Sequence, residues 1–98
     1  MATILYNGGP TRLDPKDPDA VLDYEFDWSG WLNGDTIASS TWEVPSGITK
    51  DSDTSDDTST TIWLSGGTAG QKYQITNSIV TAAGRENDRT MIVPVQEM

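Results

Sequence analysis

Apolar and polar residues alternate strictly in the stretch "VLDYEFDW". Four apolar side chains stand at even-numbered positions: Leu22, Tyr24, Phe26 and Trp28. Three acidic side chains stand at the odd-numbered positions between them: Asp23, Glu25 and Asp27. We call positions that share even or odd numbering one parity. A period of two is typical of a β-strand that buries one face. The acidic parity suits an exposed face that discourages aggregation. We therefore predict a strand here, with Trp28 in the core.

Four further segments are rich in β-branched and aromatic residues and end at turn signals, which predicts strands. They are "TIASSTWEV" (36–44), "TTIWLS" (60–65), "KYQITNSIV" (72–80) and "RTMIVPVQ" (89–96). Asn33-Gly34 and Gly66-Gly67 mark turns between them. Pro94 lacks an N–H, so it predicts that the last strand lies at a sheet edge.

No segment shows a helical stripe with a period of 3.6 residues. About six or seven short strands predict an all-β fold, a small antiparallel β-sandwich of immunoglobulin-like type. An open barrel is the alternative. We assign residues 21–98 to this domain. Residues 1–20 hold three prolines and predict an extended N-terminal arm, with a frayed terminus as the alternative.

The segment Lys50–Ser59 is polar, acidic and low in complexity, which predicts a mobile loop after a very short strand at Ile48-Thr49. Its aspartates are of the type that binds calcium. An EF-hand loop counted from Asp51 would need glycine and glutamate where Asp56 and Ile62 stand. We therefore favour a solvated loop and predict no metal site.

The chain of 98 residues has neither cysteine nor histidine. It is long enough for one domain with a modest core. The absence of cysteine excludes disulfides, thiol nucleophiles and cysteine-based zinc sites. The absence of histidine removes the commonest general base near neutral pH. No cofactor motif is present, and the scattered carboxylates suggest no glycosidase cleft. The sequence therefore predicts a protein that is not an enzyme.

Fifteen acidic residues against six basic ones give a net charge of −9. A chain this acidic repels nucleic acid and anionic membranes, so we expect neither as a partner. No signal peptide and no membrane-spanning run are visible. A basic protein partner fits the charge better.

Aromatic residues supply the candidate sites. Trp63 has the opposite parity to Ile62 and Leu64, so it faces outward if those two are buried. We predict an interface role for Trp63 and Trp31, since tryptophan anchors many interfaces. Tyr73 follows a glycine-rich turn and is predicted to be a structural corner, its hydroxyl bonded to upstream backbone. In the arm, "ATILY" could add a strand to a neighbour's sheet, which makes interface candidates of three residues: Ile4, Leu5 and Tyr6.

Several motifs together resemble a family of small tailed-phage and prophage structural proteins, the fibre-to-tail adaptors. The resemblance covers about Asp14 to Val95 and is carried by four stretches: Asp14–Asp17, Tyr24–Trp31, Gly34–Ile37 and Trp63–Tyr73. The first dozen residues and Lys50–Ser59 depart from it. It implies an immunoglobulin-like sandwich without catalytic residues, which joins tail and fibre or neck components. It also implies virion partners, a homo-oligomer, and a virion location after assembly in the bacterial host cytoplasm.

Two other functions remain open at this point. Exposed tryptophans stack on sugar rings, so a carbohydrate-binding or adhesion module is the main alternative. A generic interaction domain within a larger assembly is the other.

Overall fold

Strands dominate the computed structural model, which describes residues 2–5, 11–12 and 16–97. Each strand except the first two has the β-branched or aromatic content expected of it. In chain order the elements are β1 (Ala2–Leu5), β2 (Thr11–Arg12), β3 (Leu22–Asp27), α1 (Ser29–Leu32), β4 (Ile37–Glu43), β5 (Ile48–Ser55), β6 (Ser59–Gly66), β7 (Lys72–Thr81) and β8 (Glu86–Pro94).

These strands form two four-stranded sheets. The first sheet has the order β1-β3-β6-β5, and the second has the order β2-β8-β7-β4. The long strands pair antiparallel, whereas the short β1 and β2 pair parallel with β3 and β8. The prediction of an all-β, two-sheet fold is confirmed. The immunoglobulin-like type stays a prediction, and the two sheets do not form the alternative open barrel.

The core lies between the two sheets because strands such as β3, β6, β7 and β8 turn alternate side chains inward. In the alternating segment at β3, Tyr24, Phe26 and Trp28 are buried as predicted, whereas Leu22 at the start of the strand is 39% exposed. Phe26 stacks on Trp42 of the second sheet with ring centroids 5.6 Å apart. The sheets are therefore held together by aromatic contacts that cross the interior.

A buried polar network also crosses the core. Trp28 Nε1 donates to Asn77 Oδ1 at 3.1 Å and to Thr60 Oγ1 at 3.2 Å, and Thr60 Oγ1 donates to the same Asn77 oxygen at 2.7 Å. The Asn77 amide nitrogen donates to Ser40 Oγ and Thr41 O, both at 2.9 Å. Asn77 thus satisfies polar groups from both sheets in a site without exposed surface.

The N-terminal segment lies along both sheets of its own chain. Ala2–Leu5 runs parallel to Tyr24–Asp27, and Thr11–Arg12 runs parallel to Met91–Ile92. β1 pairs on one side with β3 and forms an edge of the first sheet, so its addition to a neighbour's sheet stays a prediction. Local composition indicates a strand but does not identify its partner.

The position of β8 also differs from the prediction. β2 pairs with Met91 and Ile92, so β8 lies inside the sheet there rather than at its edge. Pro94 falls beyond this pairing, opposite Lys72 at the end of the ladder with β7. Proline is tolerated at the end of a strand, where it removes no interior ladder bond.

The prediction of a mobile loop at Lys50–Ser59 is wrong. Residues 50–55 continue β5 and pair with β6, and only Asp56–Thr58 form the turn. Nearly every side chain of this edge strand is exposed, so no apolar face produces the alternation that marks a strand. Its charges and a bulge between Lys50 and Ser52 protect the sheet edge instead.

Asp56 organises the β5–β6 turn with its carboxylate. Its Oδ1 accepts hydrogen bonds from Thr58 N at 2.9 Å, Ser59 N at 2.8 Å and Ser59 Oγ at 2.9 Å. These bonds, that from the Thr58 backbone first, lower the pKa of Asp56 below 3.8. Bonds from Ser29 lower the pKa of Asp27 in the same direction.

Acid is therefore expected to destabilise the fold only below about pH 4. A carboxyl whose pKa is lower in the folded state contributes stability above its unfolded pKa and loses it as the pH falls through the folded value. Urea denaturation between pH 2 and 7 tests this. Asp56→Asn should lower the free energy of unfolding at pH 7 and flatten its fall in acid. An unchanged acid profile in that variant would contradict the role of Asp56.

Candidate protein-interaction surfaces

Trp63 lies on the outer face of the first sheet. Ile62 and Leu64 have no exposed surface, whereas Trp63 is 41% exposed. Because successive side chains of a strand point to opposite faces, burying the two aliphatic neighbours places the indole outside. The exposure of Trp63 therefore agrees with the orientation predicted from the burial of Ile62 and Leu64. The interface role of Trp63 stays a prediction.

The surroundings of Trp63 are acidic and partly apolar. Trp63 has a paired residue on each neighbouring strand of the first sheet. Asp23 lies opposite it on β3, and Ser52 lies opposite it on β5. Val21, just before β3, is 52% exposed. We call this region, comprising Val21, Asp23, Asp51 and Trp63, the Trp63 face.

Asp51 belongs to the same outer face. It lies in the bulge of β5 next to Ser52, and Ser65 Oγ donates to its Oδ1 at 2.9 Å. Ser65 is two residues from Trp63 along β6 and so shares its side of the sheet. The bulge thus directs a carboxylate onto the Trp63 face.

The basic side chains from residue 16 onward offset little of this negative surface charge. Lys16 and Arg89 are buried. Lys50 and Arg85 are ion-paired with Asp53 and Asp35, at 2.6 and 3.2 Å. Lys72 is exposed. The surface is therefore more acidic than the net charge of −9 indicates.

Lys16 has a structural role that sequence reasoning missed. Its ammonium donates to Gly66 O at 2.8 Å and to Asp17 O at 2.9 Å, and its backbone bonds to Pro94 and Gln96. Burial lowers the pKa of Lys16 below 10.5, and nearby carboxylates, Asp17 foremost, act in the opposite direction. The side chain fastens the N-terminal segment to the β6–β7 turn. Only the resemblance, which includes Asp14–Asp17, drew attention to this position.

Trp31 is engaged within the fold. It lies in α1, packs against the core and meets Trp28 edge-on at 5.7 Å. The Arg85 guanidinium lies 4.4 Å from the centre of its ring, donates to Leu32 O at 2.7 Å and pairs with Asp35. These contacts occupy much of the indole surface, so the structure favours Trp63 over Trp31 as an anchor for a partner.

Tyr73 begins β7 at the opposite end of the sandwich. Its hydroxyl accepts a hydrogen bond from Thr68 N at 2.8 Å, and its ring closely approaches Gly47 and Gly67. The bond runs to backbone upstream, as a corner tyrosine requires. The corner role itself remains a prediction until the hydroxyl is removed.

Tyr73→Phe is expected to lower the free energy of unfolding by about 1 kcal/mol, the usual net contribution of one hydrogen bond. The phenylalanine ring preserves the packing against Gly47 and Gly67, so the loss reports the hydroxyl alone. Urea denaturation monitored by tryptophan fluorescence measures it. A change below about 0.3 kcal/mol would contradict the corner role.

The outer face of the second sheet combines hydroxyl and acidic side chains. Exposed Val80 lies there among five serines and threonines: Ser39, Thr41, Thr76, Ser78 and Thr90. Three acidic residues lie opposite residues of this face in the sheet register: Glu43, Glu86 and Asp88. An open depression at one end is lined by five residues: Glu43, Val44, Pro45, Gln74 and Thr76. Both faces of the sandwich thus carry acidic side chains, and the first is distinguished among the described residues by an exposed tryptophan.

The remaining interface candidates lie in the N-terminal segment. Ile4 pairs with Phe26 and Leu5 with Asp27 through the β1 backbone, and Tyr6 lies outside the described residues. β1 and Trp63 belong to the same sheet, separated by β3. The interface roles of Ile4, Leu5 and Tyr6 remain predictions.

Other kinds of site were sought in the part of the chain that the structure describes. There, no three acidic side chains come together in a way that could hold a metal ion. Within the same residues, no helix has the length and apolar character needed to cross a membrane.

A family model for the podophage GP4 fiber-tail adaptor protein gp77 matches residues 16–94. The match begins at the buried Lys16 and includes every strand from β3 to β8. It confirms the resemblance that the sequence motifs indicated. A comparison with individually curated proteins gave no match.

Proposed function

The chain belongs to the family of podophage GP4 fiber-tail adaptor proteins, and from this premise we propose that it is a non-enzymatic virion component. It joins tail and fibre, or neck, components through protein–protein contacts. The single observation that carries the proposal is the family match over residues 16–94, which spans most of the sandwich.

Two features of the molecule support a joining role. An adaptor needs at least two surfaces that different partners can recognise. The first sheet presents an outer face with exposed Trp63, and the second presents one that combines serine, threonine and acidic side chains. The strands hold both faces rigidly, so partners bound to them keep a fixed relative orientation.

Several copies are expected to act together. Repeated weak contacts in a symmetric assembly gain strength through effective concentration. We propose that the chain forms a homo-oligomer in the particle, assembled in the cytoplasm of the bacterial host. Its partners are other virion proteins rather than nucleic acid or membrane.

Quantitative peptide mass spectrometry of purified virions tests the proposal. A low, fixed copy number, near a multiple of three or six, would support a position at the neck, tail or fibre junction. Hundreds of copies would indicate a capsid-surface or tail-tube role instead. Absence of the chain from the particle would overturn the virion assignment.

A carbohydrate-binding or adhesion module is the second candidate, because Trp63 is exposed beside carboxylates. An indole stacks on pyranose rings, and carboxylates accept bonds from sugar hydroxyls. Titration of the chain with host surface glycans, monitored by tryptophan fluorescence, distinguishes the two candidates. A saturable shift that disappears in Trp63→Ala would favour the sugar-binding function.

A further inference from the structure

We propose that the Trp63 face binds an arginine-bearing surface of another virion protein. The partner guanidinium lies over the indole of Trp63 and pairs with the Asp51 carboxylate on the same face. This inference rests on the proposed function and identifies the chemistry of one of the partners.

The apolar part of the face supplies the anchor. Trp63 is 41% exposed and Val21, just before β3, is 52% exposed. Covering an exposed indole removes a large apolar surface from water, and tryptophan is among the residues that contribute most to binding at interfaces. The rigid β6 backbone holds the indole in place, so little conformational freedom is lost on binding.

The charge of the face determines the partner. Asp23 lies opposite Trp63 in the sheet register, and Asp51 lies on the same outer face through its bond to Ser65. Asp51 is exposed, and four of the basic side chains from residue 16 onward are buried or ion-paired with other carboxylates. Complementary potentials favour a basic partner surface and speed its approach.

Arginine is favoured over lysine because the chain uses the same recognition internally. The guanidinium of Arg85 covers Trp31 at 4.4 Å and pairs with Asp35 at 3.2 Å. The guanidinium of Arg89 covers Trp28 at 3.7 Å. A planar guanidinium stacks on an indole and binds a carboxylate at the same time, which a compact ammonium does less well.

A second copy of the chain is a poor occupant of this face. Pairing two Trp63 faces would bring the Asp51 carboxylates of both copies onto the same interface, where like charges repel. Homo-oligomer contacts are therefore expected on other surfaces.

Photocrosslinking in assembled virions identifies the occupant directly. Replacement of Trp63 by the photoreactive p-benzoylphenylalanine keeps an aromatic side chain at this position. Irradiation followed by peptide mass spectrometry should yield crosslinks to an arginine-containing segment of a different virion protein. Crosslinks to another copy of the chain, or no crosslink at all, would overturn the inference.

Incorporation measurements supply the energetic test. A phage that lacks its own copy of the gene is complemented with variants, and copies per particle are counted. Trp63→Ala should reduce incorporation at least tenfold, Trp63→Phe less, and Asp51→Asn should make assembly less sensitive to salt. Val80→Ala, an exposed apolar residue on the other sheet, is the matched control and should incorporate normally.

The outcomes separate the inference from the proposed function. If the wild-type chain is absent from virions, the proposed function fails. If the wild-type chain is present and Trp63→Ala incorporates equally well, only the inference fails. Urea denaturation of Trp63→Ala should give a nearly unchanged midpoint, so a loss of incorporation would not reflect unfolding.

Discussion

Asn77→Ala is expected to lower the free energy of unfolding by about 3 kcal/mol, since it removes a buried acceptor shared by two donors and leaves a cavity. The substitution removes the acceptor shared by Trp28 Nε1 and Thr60 Oγ1 and the donor to Ser40 and Thr41. It also opens a cavity in a close-packed interior. For a domain of this size, such a loss lowers the Tm by roughly 15 °C.

Two further variants separate the polar and packing contributions. Asn77→Leu fills most of the volume but restores no hydrogen bond, so it should be almost as destabilising as alanine. Ser78→Ala changes the neighbouring outward residue and should alter stability by less than about 0.5 kcal/mol. Thermal and urea denaturation give both values. Recovery of stability in Asn77→Leu would show that volume, rather than hydrogen bonding, is what the core requires.

Gly67→Ala is expected to destabilise the fold by about 3 kcal/mol through backbone strain and a steric overlap. Gly67 has a φ of +96°, a conformation that residues with a side chain rarely adopt. A Cβ atom there would lie 2.8 Å from Val95 Cγ2. Val95 is buried and bonded to Gly70 and Gln71, so it has no room to move aside.

The preceding glycine is the matched control. Gly66 also has a positive φ, of +77°, but a Cβ atom there would meet nothing within 4 Å. Gly66→Ala should therefore cost only the backbone strain, about 1 kcal/mol. Adding Val95→Ala to Gly67→Ala removes the overlapping methyl groups, so the double variant should be more stable than additivity predicts. Equal losses at Gly66 and Gly67 would show that the close approach is unimportant.

The sequence predicts most of the second half of the fold because its strands have one buried face. β7 is an example, where Tyr73, Ile75 and Ile79 share a parity and are all buried. The same alternation places Ile62 and Leu64 inside and therefore Trp63 outside. In each case the hydrophobic effect acts on residues that are close in sequence, so a short stretch of sequence is enough to predict which side chains are buried.

The features that escaped prediction depend on contacts distant in sequence. β5 is a strand because β6 pairs with it, although its own side chains are nearly all exposed. Lys16 and Arg89 are buried, with their charged groups bonded to backbone carbonyls and, for Arg89, stacked on an indole. A pattern of neighbouring residues predicts that a basic side chain is exposed, so it misses both. The parallel pairing of β1 with β3 likewise needs the assembled sheet.

The parallel pairing of β2 with β8 imposes an order on folding. Thr11–Arg12 binds Met91–Ile92, and Lys16 binds Pro94, so each contact closes a loop that encloses almost the whole sandwich. Closing so long a loop is entropically costly until the intervening strands are in place. During synthesis the N-terminal segment emerges long before β8, and it must wait without that partner. We therefore expect Thr11–Arg12 and Lys16 to dock late, whereas β1 can pair with β3 as soon as that nearby strand has formed.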